Sequence, residues 1–516
     1  MNSNSSLISV GNFDLKLNHL LIIGILSLSF TVSFLLRAQP ADFGFELNEF
    51  DPFFNYRATQ YIVDNGVSEY FEWNDDLSWY PHGRDVSVTS QVMLHLTAAT
   101  TYSIFGGGMD LYDFTILFPA ILGSLSAIVI FGLVRIIGGT TAGLFSALLF
   151  SVSIPILIRG QLGWFKSEPL GLFFSLLIVY FLLSGINSQN KKIALLKLIG
   201  AGIFTTFSIS AWGGSQFFII PIGIFFIVLP FLRTDHKFIV WAIPIFTIST
   251  LVTSLGFEKV SSNFIFGMGG LTLLTSTLIL VTCILIQYKS SKNKIRNGLF
   301  FLLAIVIIAP SIIMINSELD FLPSSSHRYV NALNPFLTTT DPLVDSVSEH
   351  ATTTLAQSFL FHSVLMIFSG IGIWLIIKNI QTKNSNFINN DMLSFSLILG
   401  ICGVYASSTF VRLEVFGSIA VIILASLGLT ALTKEFFKNK SQSKKPIHKL
   451  LQISFMAGII VLLLIPMIYP TGSEPSSIVH ISPTILNGGT SFPVATNDWL
   501  DALDWMKNNT PKDAVI

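Results

Sequence analysis

Thirteen apolar runs constrain this chain more than anything else in it, at about residues 19–36, 112–134, 140–158, 169–186, 195–212, 215–232, 238–255, 263–286, 297–316, 359–377, 392–409, 413–433 and 451–470. Each is about long enough to cross the roughly 30 Å hydrocarbon core of a bilayer as a helix. Lipid offers no hydrogen bonds, so a spanning segment must satisfy its backbone internally, and apolar runs of this length do so as helices. With 51% hydrophobic and 11% charged residues in a chain of 516, there are too few charges to coat a soluble globule. The expected fold is an all-α polytopic membrane protein with about 13 transmembrane helices. The first run exceeds the apolar core of a signal peptide and ends at Arg37 without a small-residue cleavage site, so it reads as a retained span.

Val88–Phe105 competes as a fourteenth span, but it carries Gln91, His95 and six Ser or Thr, and it reads better as an amphipathic interfacial helix. The distribution of charge tests that choice, because Lys and Arg gather in alternate, cytoplasmic loops. With the N-terminus inside, 19 of the 29 Lys and Arg fall in cytoplasmic loops, against only Asp14, Asp235, Asp391 and Glu435 of the 29 acids. Counting Val88–Phe105 as a span would turn the basic loops outward. The balance of 29 against 29 gives no sign of a nucleic-acid partner.

Two external loops, at about 37–111 and 317–358, are too long to be simple connections. The spans are almost free of charge. Asp113, Lys197 and Glu414 lie at span ends and His362 a little deeper, so neither mid-span ionisable groups nor broken helices are expected, which argues against an ion-coupled pump. Cys283 and Cys402 sit in apolar runs and form no metal or disulfide framework. Residues 1–471 are read as a membrane domain and 472–516 as the incomplete beginning of an external soluble domain. There Asn497 can cap a helix bearing Trp499, Leu503 and Met506, and Ala514–Ile516 opens a strand.

The stretch Glu49–Gly66, EFDPFFNYRATQYIVDNG, holds Asp51 just outside the first span. An Asp before Pro is a common turn arrangement. Glu168, ahead of the fourth run, suits a helix N-terminus. Glu349 follows Ser346 in SVSE, which also fits a capping box. Taken together, three external carboxylates from three loops could instead meet on one hard divalent cation. Arg412 could snorkel at the interface or hold a lipid-linked phosphate.

EFDPFFNYRAT (49–59), WYPHGR (79–84), RGQLGWFKSE (159–168), SAWGG (210–214), SVSEH (346–350) and VRL (411–413) occur in an order and spacing that resembles the catalytic subunit of oligosaccharyltransferase, in its single-subunit archaeal, AglB-type form. The likeness covers nearly the whole chain. It implies a GT-C-type glycosyltransferase architecture with thirteen spans and an external α/β C-terminal domain. It implies inverting transfer of a glycan from a dolichyl phosphate or pyrophosphate carrier to Asn in Asn-x-Ser/Thr of a polypeptide, at the outer face of the cell membrane. By the same resemblance Asp51 and Glu168 belong to a Mn²⁺ or Mg²⁺ site, to which the three-carboxylate reading adds Glu349, while Asp51 and Glu349 meet the acceptor amide and Arg412 holds the donor phosphate. Arg159 and Arg328 match arginines that bind donor phosphate or order the loop. A related transferase with a non-Asn acceptor, or a non-catalytic assembly subunit, is the alternative.

Two departures stand out. The second motif of the family has an acid two residues before the one matched by Glu168, and here that position is Lys166. A protonated Lys cannot ligate a metal; the expectation is that Lys166 turns toward phosphate while Asp51, Glu168 and Glu349 keep the metal. The family's WWDYG motif, expected just beyond Trp505–Ile516, is absent, which implies poor sequon selection unless a separate C-terminal domain or subunit supplies it.

Overall fold

A computed structural model describes residues 6–10, 13–290, 292–319, 347–382, 390–438, 446–464, 469–471, 474–476, 479–488, 494–511 and 514–515. The fold is helical, in two compact units, Met1–Phe173 with Ala425–Ile516, and Phe174–Leu424. Among the described residues nine helices are long and apolar enough to cross a membrane, and a bent pair makes a tenth. They coincide with ten of the thirteen expected runs.

The other three are also helical, one of them divided and one described only in part. The run 140–158 divides into Thr140–Ser151 and Ile154–Ile158. Pro155 explains the division, since it has no N–H to bond to Ser151 O and its ring would clash with that carbonyl, so the first helix ends at Ser151. The run 297–316 lies within the 26-residue helix Lys294–Leu319, and the described part of 451–470 is helical to Leu464, in Pro446–Leu464, with 465–468 outside the described residues. Val92–Phe105, at 14 residues and 1.5 Å each, measures about 21 Å and falls short of a span.

The bent pair corrects the expectation of unbroken spans. Leu355–His362 and Leu365–Lys378 meet at 84°, with Ser363 at φ +43° and its N–H bonded to Phe359 O at 2.7 Å. No proline or glycine marks the break in the sequence.

In the unit Met1–Phe173 with Ala425–Ile516, the first span (Leu17–Arg37) packs on Leu111–Gly138 and Thr140–Ser151. It ends in a fully buried arginine. The Arg37 guanidinium donates to Ser33 O (3.2 Å) and Ile156 O (3.4 Å), and it fits because glycines line its path: a Cβ on Gly123 would lie 2.4 Å from Nε, and one on Gly160 3.1 Å. Leu36, Val152, Leu157 and Val479 close a small apolar core beside it.

The loop 37–111 is ordered, as its aromatic content leads one to expect. Asp51–Asn65, Val67–Phe71 and Val92–Phe105 are its main helices. Tyr61 stacks on Trp73 at 4.1 Å, Arg84 lies 4.0 Å above Phe54, and Arg57 pairs with Asp75. Most of loop 317–358, with Arg328 and Ser346, lies outside the described residues.

Beyond the last helix of that unit, residues 479–488 fold back on the first loop. Thr484 bonds to Asn48, and the His480 ring lies tilted against Phe43 at 4.6 Å. The expected C-terminal helix is present as Asp498–Asn509, but the Asn497 side chain makes no cap bond and no residue of the helix is buried. Ala514 and Val515 form no strand; among the described residues no neighbouring strand pairs their backbone, and an unpaired strand is not stable in isolation.

The unit Phe174–Leu424 uses small residues for close helix approach, the usual device where lipid removes the hydrophobic drive between helices. A Cβ on Gly202 would sit 2.6 Å from Ser249 Cβ, and one on Gly403 2.7 Å from Ala420 Cβ. Thr247 and Thr277 hydroxyls bond across helices at 2.7 Å. Buried Asp391 is paired by Arg233 at 2.9 Å.

Candidate active site

The helix Asp51–Asn65 begins at Asp51 with Pro52 behind it. Proline fits a helical first turn because its missing N–H would be unbonded there anyway, and an acid in that turn meets the positive end of the helix dipole. The Asp51 side chain is 73% exposed. Its position is set by the residues before it. Asn48 N donates to Gly163 O at 2.9 Å, Asn48 Nδ2 to Gln161 Oε1 at 3.3 Å, and Glu49 N to Thr484 Oγ1 at 3.2 Å. Gly163 makes the first contact possible: it sits at φ +77°, and a Cβ there would lie 2.3 Å from Glu46 O.

The segment carrying Lys166 and Glu168 is fastened to the same helix. Asn55 Nδ2 donates to Phe165 O at 2.9 Å. Asn55 Oδ1 is 3.0 Å from His95 Nε2, and His95 Nδ1 is 2.7 Å from the Tyr70 hydroxyl. The relay is buried, so it fixes two segments more than 100 residues apart in sequence.

Lys166 does not turn away from the acids, as expected of it. Its Nζ is 2.9 Å from Glu49 Oε2 and 3.0 Å from Asp51 Oδ2, and 5.0 Å from the centre of the Trp164 ring. The side chain is only 11% exposed. Burial alone lowers its pKa, but Glu168, Glu49 and Asp51 together outweigh burial and hold the ammonium above the ordinary lysine value. Glu168 is itself buried, and Arg159 Nη1 lies 3.5 Å from its Oε1. Two cations thus sit among three carboxylates. Sequence reasoning quoted Glu49 but gave it no role; its signal was adjacency to Asp51.

In the unit Phe174–Leu424, Glu349 lies in the turn Ser348–His350 and Arg412 in the turn Val411–Leu413. Val411 N bonds to Ala351 O at 3.0 Å, which holds the turns side by side. Arg412 Nη1 is 3.3 Å from Glu349 Oε2, each about 30% exposed. This pair presents a guanidinium and a carboxylate edge together, able to meet an anion and an N–H donor. Behind it Glu414 is buried, bonded to His362 Nε2 at 2.9 Å and Ser358 Oγ at 3.2 Å. Glu414, read from sequence as a span-end group, and His362, read as a little deeper, are thus the buried support of the turn that carries Arg412. Among the described residues no three of His, Cys, Asp and Glu converge to hold a metal.

Residues 20–424 match the family described as oligosaccharyl transferase STT3, N-terminal. The chain belongs to the oligosaccharyl transferase STT3 family. The dolichyl-diphosphooligosaccharide–protein glycosyltransferase subunit STT3 of Dictyostelium discoideum is 25% identical over 525 residues, 98% of this chain and 70% of that protein. Among solved structures, the archaeal oligosaccharyltransferase AglB of Archaeoglobus fulgidus, in complex with an inhibitory peptide and a dolichol-phosphate, superposes with a TM-score of 0.70 at 16% identity. The match covers 95% of this chain and 58% of that one. Two further structures of the same archaeal enzyme, one tethered to an acceptor peptide with an NVT sequon and one holding Zn and sulfate, give 0.65 and 0.64 at 18% and 17% identity, covering 95% of this chain and 57% and 56% of theirs. This STT3-family chain therefore shares the AglB fold and spans under two thirds of its length.

Proposed function

We propose that this chain is an oligosaccharyltransferase that moves a glycan from a dolichyl phosphate or pyrophosphate carrier to the side-chain amide nitrogen of Asn in Asn-x-Ser/Thr. The observation that carries the reading is the STT3 match from residue 20 to 424, which includes Asp51, Glu168, Glu349 and Arg412. The amide nitrogen is a poor nucleophile because its lone pair is delocalised into the carbonyl, the resonance that sets a rotation barrier of about 18–20 kcal/mol. Asp51 and Glu349 accept its N–H groups and oppose that delocalisation. Arg412 binds the donor phosphate and steadies the charge that grows on it as the C1–O bond breaks, and Arg159 adds a second cation. Attack opposite the leaving phosphate inverts the sugar carbon.

The family's metal fits this set poorly. Mg²⁺ takes oxygen ligands at about 2.0–2.1 Å, whereas Asp51 Oδ2 and Glu49 Oε2 already bind an ammonium at 3.0 and 2.9 Å. At an effective dielectric of about 20, two unit charges about 4 Å apart repel by about 4 kcal/mol, and a divalent ion beside the Lys166 ammonium by about twice that. No step here runs through Mn²⁺ or Mg²⁺.

The positive loops favour a cytoplasmic N-terminus with the catalytic loops and the segment after 471 outside the cell. The helix Asp498–Asn509, with no buried residue, fits a further domain or subunit that covers it. The test is full-length protein in liposomes with lipid-linked oligosaccharide and a fluorescent peptide. Asn-x-Thr peptide should be converted to glycopeptide and its Gln-x-Thr counterpart should not. Glycan recovered on lipid or hydroxyl acceptors, with none on the Asn peptide, would overturn the reading.

A further inference from the structure

We propose that the Lys166 ammonium is the resident cation of Asp51 and Glu49, engaging the oxygens that a divalent metal would need, so that this chain transfers glycan without one. The inference rests on the transferase reading above and deepens it. Its basis is position. Lys166 Nζ binds Asp51 Oδ2 at 3.0 Å and Glu49 Oε2 at 2.9 Å, so the oxygens that a metal would need are engaged by the chain itself. The ammonium is not a surface group that could swing clear: its side chain is 11% exposed and the Trp164 ring lies against it. The backbone just before it is fixed by Asn55 to Phe165 O, and the Glu168 side chain just after it is paired with Arg159.

Charge points the same way. Glu49, Asp51 and Glu168 carry three negative charges, and Lys166 and Arg159 return two. A lysine also stands at position 166, two residues before Glu168, where the resemblance calls for an acid. One substitution therefore removes a carboxylate and supplies a tethered cation.

In the transfer it serves, the donor C1–O bond breaks with its electron pair leaving on the phosphate oxygen. The amide nitrogen forms the C1–N bond, and the displaced N–H proton passes to a facing carboxylate and on to solvent. The ammonium acts electrostatically, keeping Asp51 in place and offsetting its charge while the phosphate leaves.

The experiment pairs a binding readout with an activity readout. Mn²⁺ binding to detergent-purified wild type, Asp51→Ala, Lys166→Asp and Lys166→Gln is followed by the loss of the free-ion EPR signal, and peptide glycosylation is measured in EDTA and in Mn²⁺. Wild type should bind no Mn²⁺ that Asp51→Ala abolishes, and its transfer should stay within twofold in EDTA. Lys166→Asp should gain one Mn²⁺ per chain and a metal dependence of at least tenfold, and Lys166→Gln should lose at least tenfold in transfer in EDTA. A wild-type site lost in Asp51→Ala, a tenfold fall in EDTA, or no site gained by monodisperse Lys166→Asp would each overturn the proposal. If no variant glycosylates peptide, the transferase reading fails while the Mn²⁺ measurement still decides the place of Lys166.

Discussion

Gly163→Ala tests how the site is held together without touching any charged group. At φ +77° a residue with a Cβ is strained, by about 1–2 kcal/mol. The new methyl would lie 2.3 Å from Glu46 O and 2.8 Å from Asn48 N. Reaching an ordinary contact near 3.4 Å requires the two segments to part by about 1 Å. That movement breaks the 2.9 Å bond from Asn48 N to Gly163 O, worth about 0.5–1.5 kcal/mol. The expected loss of local stability is therefore roughly 2–3 kcal/mol. Glu49 and Asp51 follow Asn48, and Lys166 and Glu168 follow Gly163, so the same opening displaces acids from ammonium. A misplacement of about 1 Å in a catalytic constellation costs on the order of 100-fold in rate. Peptide glycosylation in liposomes should fall by about that factor, with a lowered thermal midpoint and normal membrane insertion. Transfer within threefold of wild type at an unchanged midpoint would refute the claim that this close backbone approach sets the site.

Asp51→Ala should abolish transfer while changing the thermal midpoint little, because an ion pair with an exposed partner, such as Asp51 with Lys166, contributes only about 0–1 kcal/mol; a large loss of stability would show that Asp51 is chiefly structural. His362→Ala removes one of the two hydrogen-bond partners of buried Glu414, leaving Ser358, and an unmet buried polar group costs about 1–3 kcal/mol. A thermal-shift series should rank it far below Ser358→Ala, and equal midpoints would count against the pair. The raised pKa of Lys166 means that its ion pairs contribute fully below the ordinary lysine value of 10.5 and are lost only as pH rises through the higher folded value. Transfer should accordingly show no alkaline fall below pH ~9 assignable to Lys166, checked by comparing pH profiles of wild type and Lys166→Arg.

How far the sequence reached can be read at particular residues. The membrane helices were legible because the length of an apolar run and the need to satisfy backbone groups in lipid are local properties, although 140–158 was read as unbroken across Pro155. The break at Ser363 was not legible, since nothing in its side chain requires φ +43°. The motif residues Asp51, Glu168, Glu349 and Arg412 were found from spacing and resemblance, yet their partners were not.

Composition and pattern by themselves determined the helical membrane class, the positions of its spans and the identity of the acidic and basic groups worth examining. Tertiary structure alone decided which charge meets which. Lys166 reaches Glu49 across 117 residues of sequence, Arg412 meets Glu349 because two short turns are tied by one backbone bond, and Arg37 is buried because two glycines leave it room. Ion pairing depends on a few ångströms of side-chain approach, and that distance is set by packing between segments remote in the chain, which no local pattern encodes.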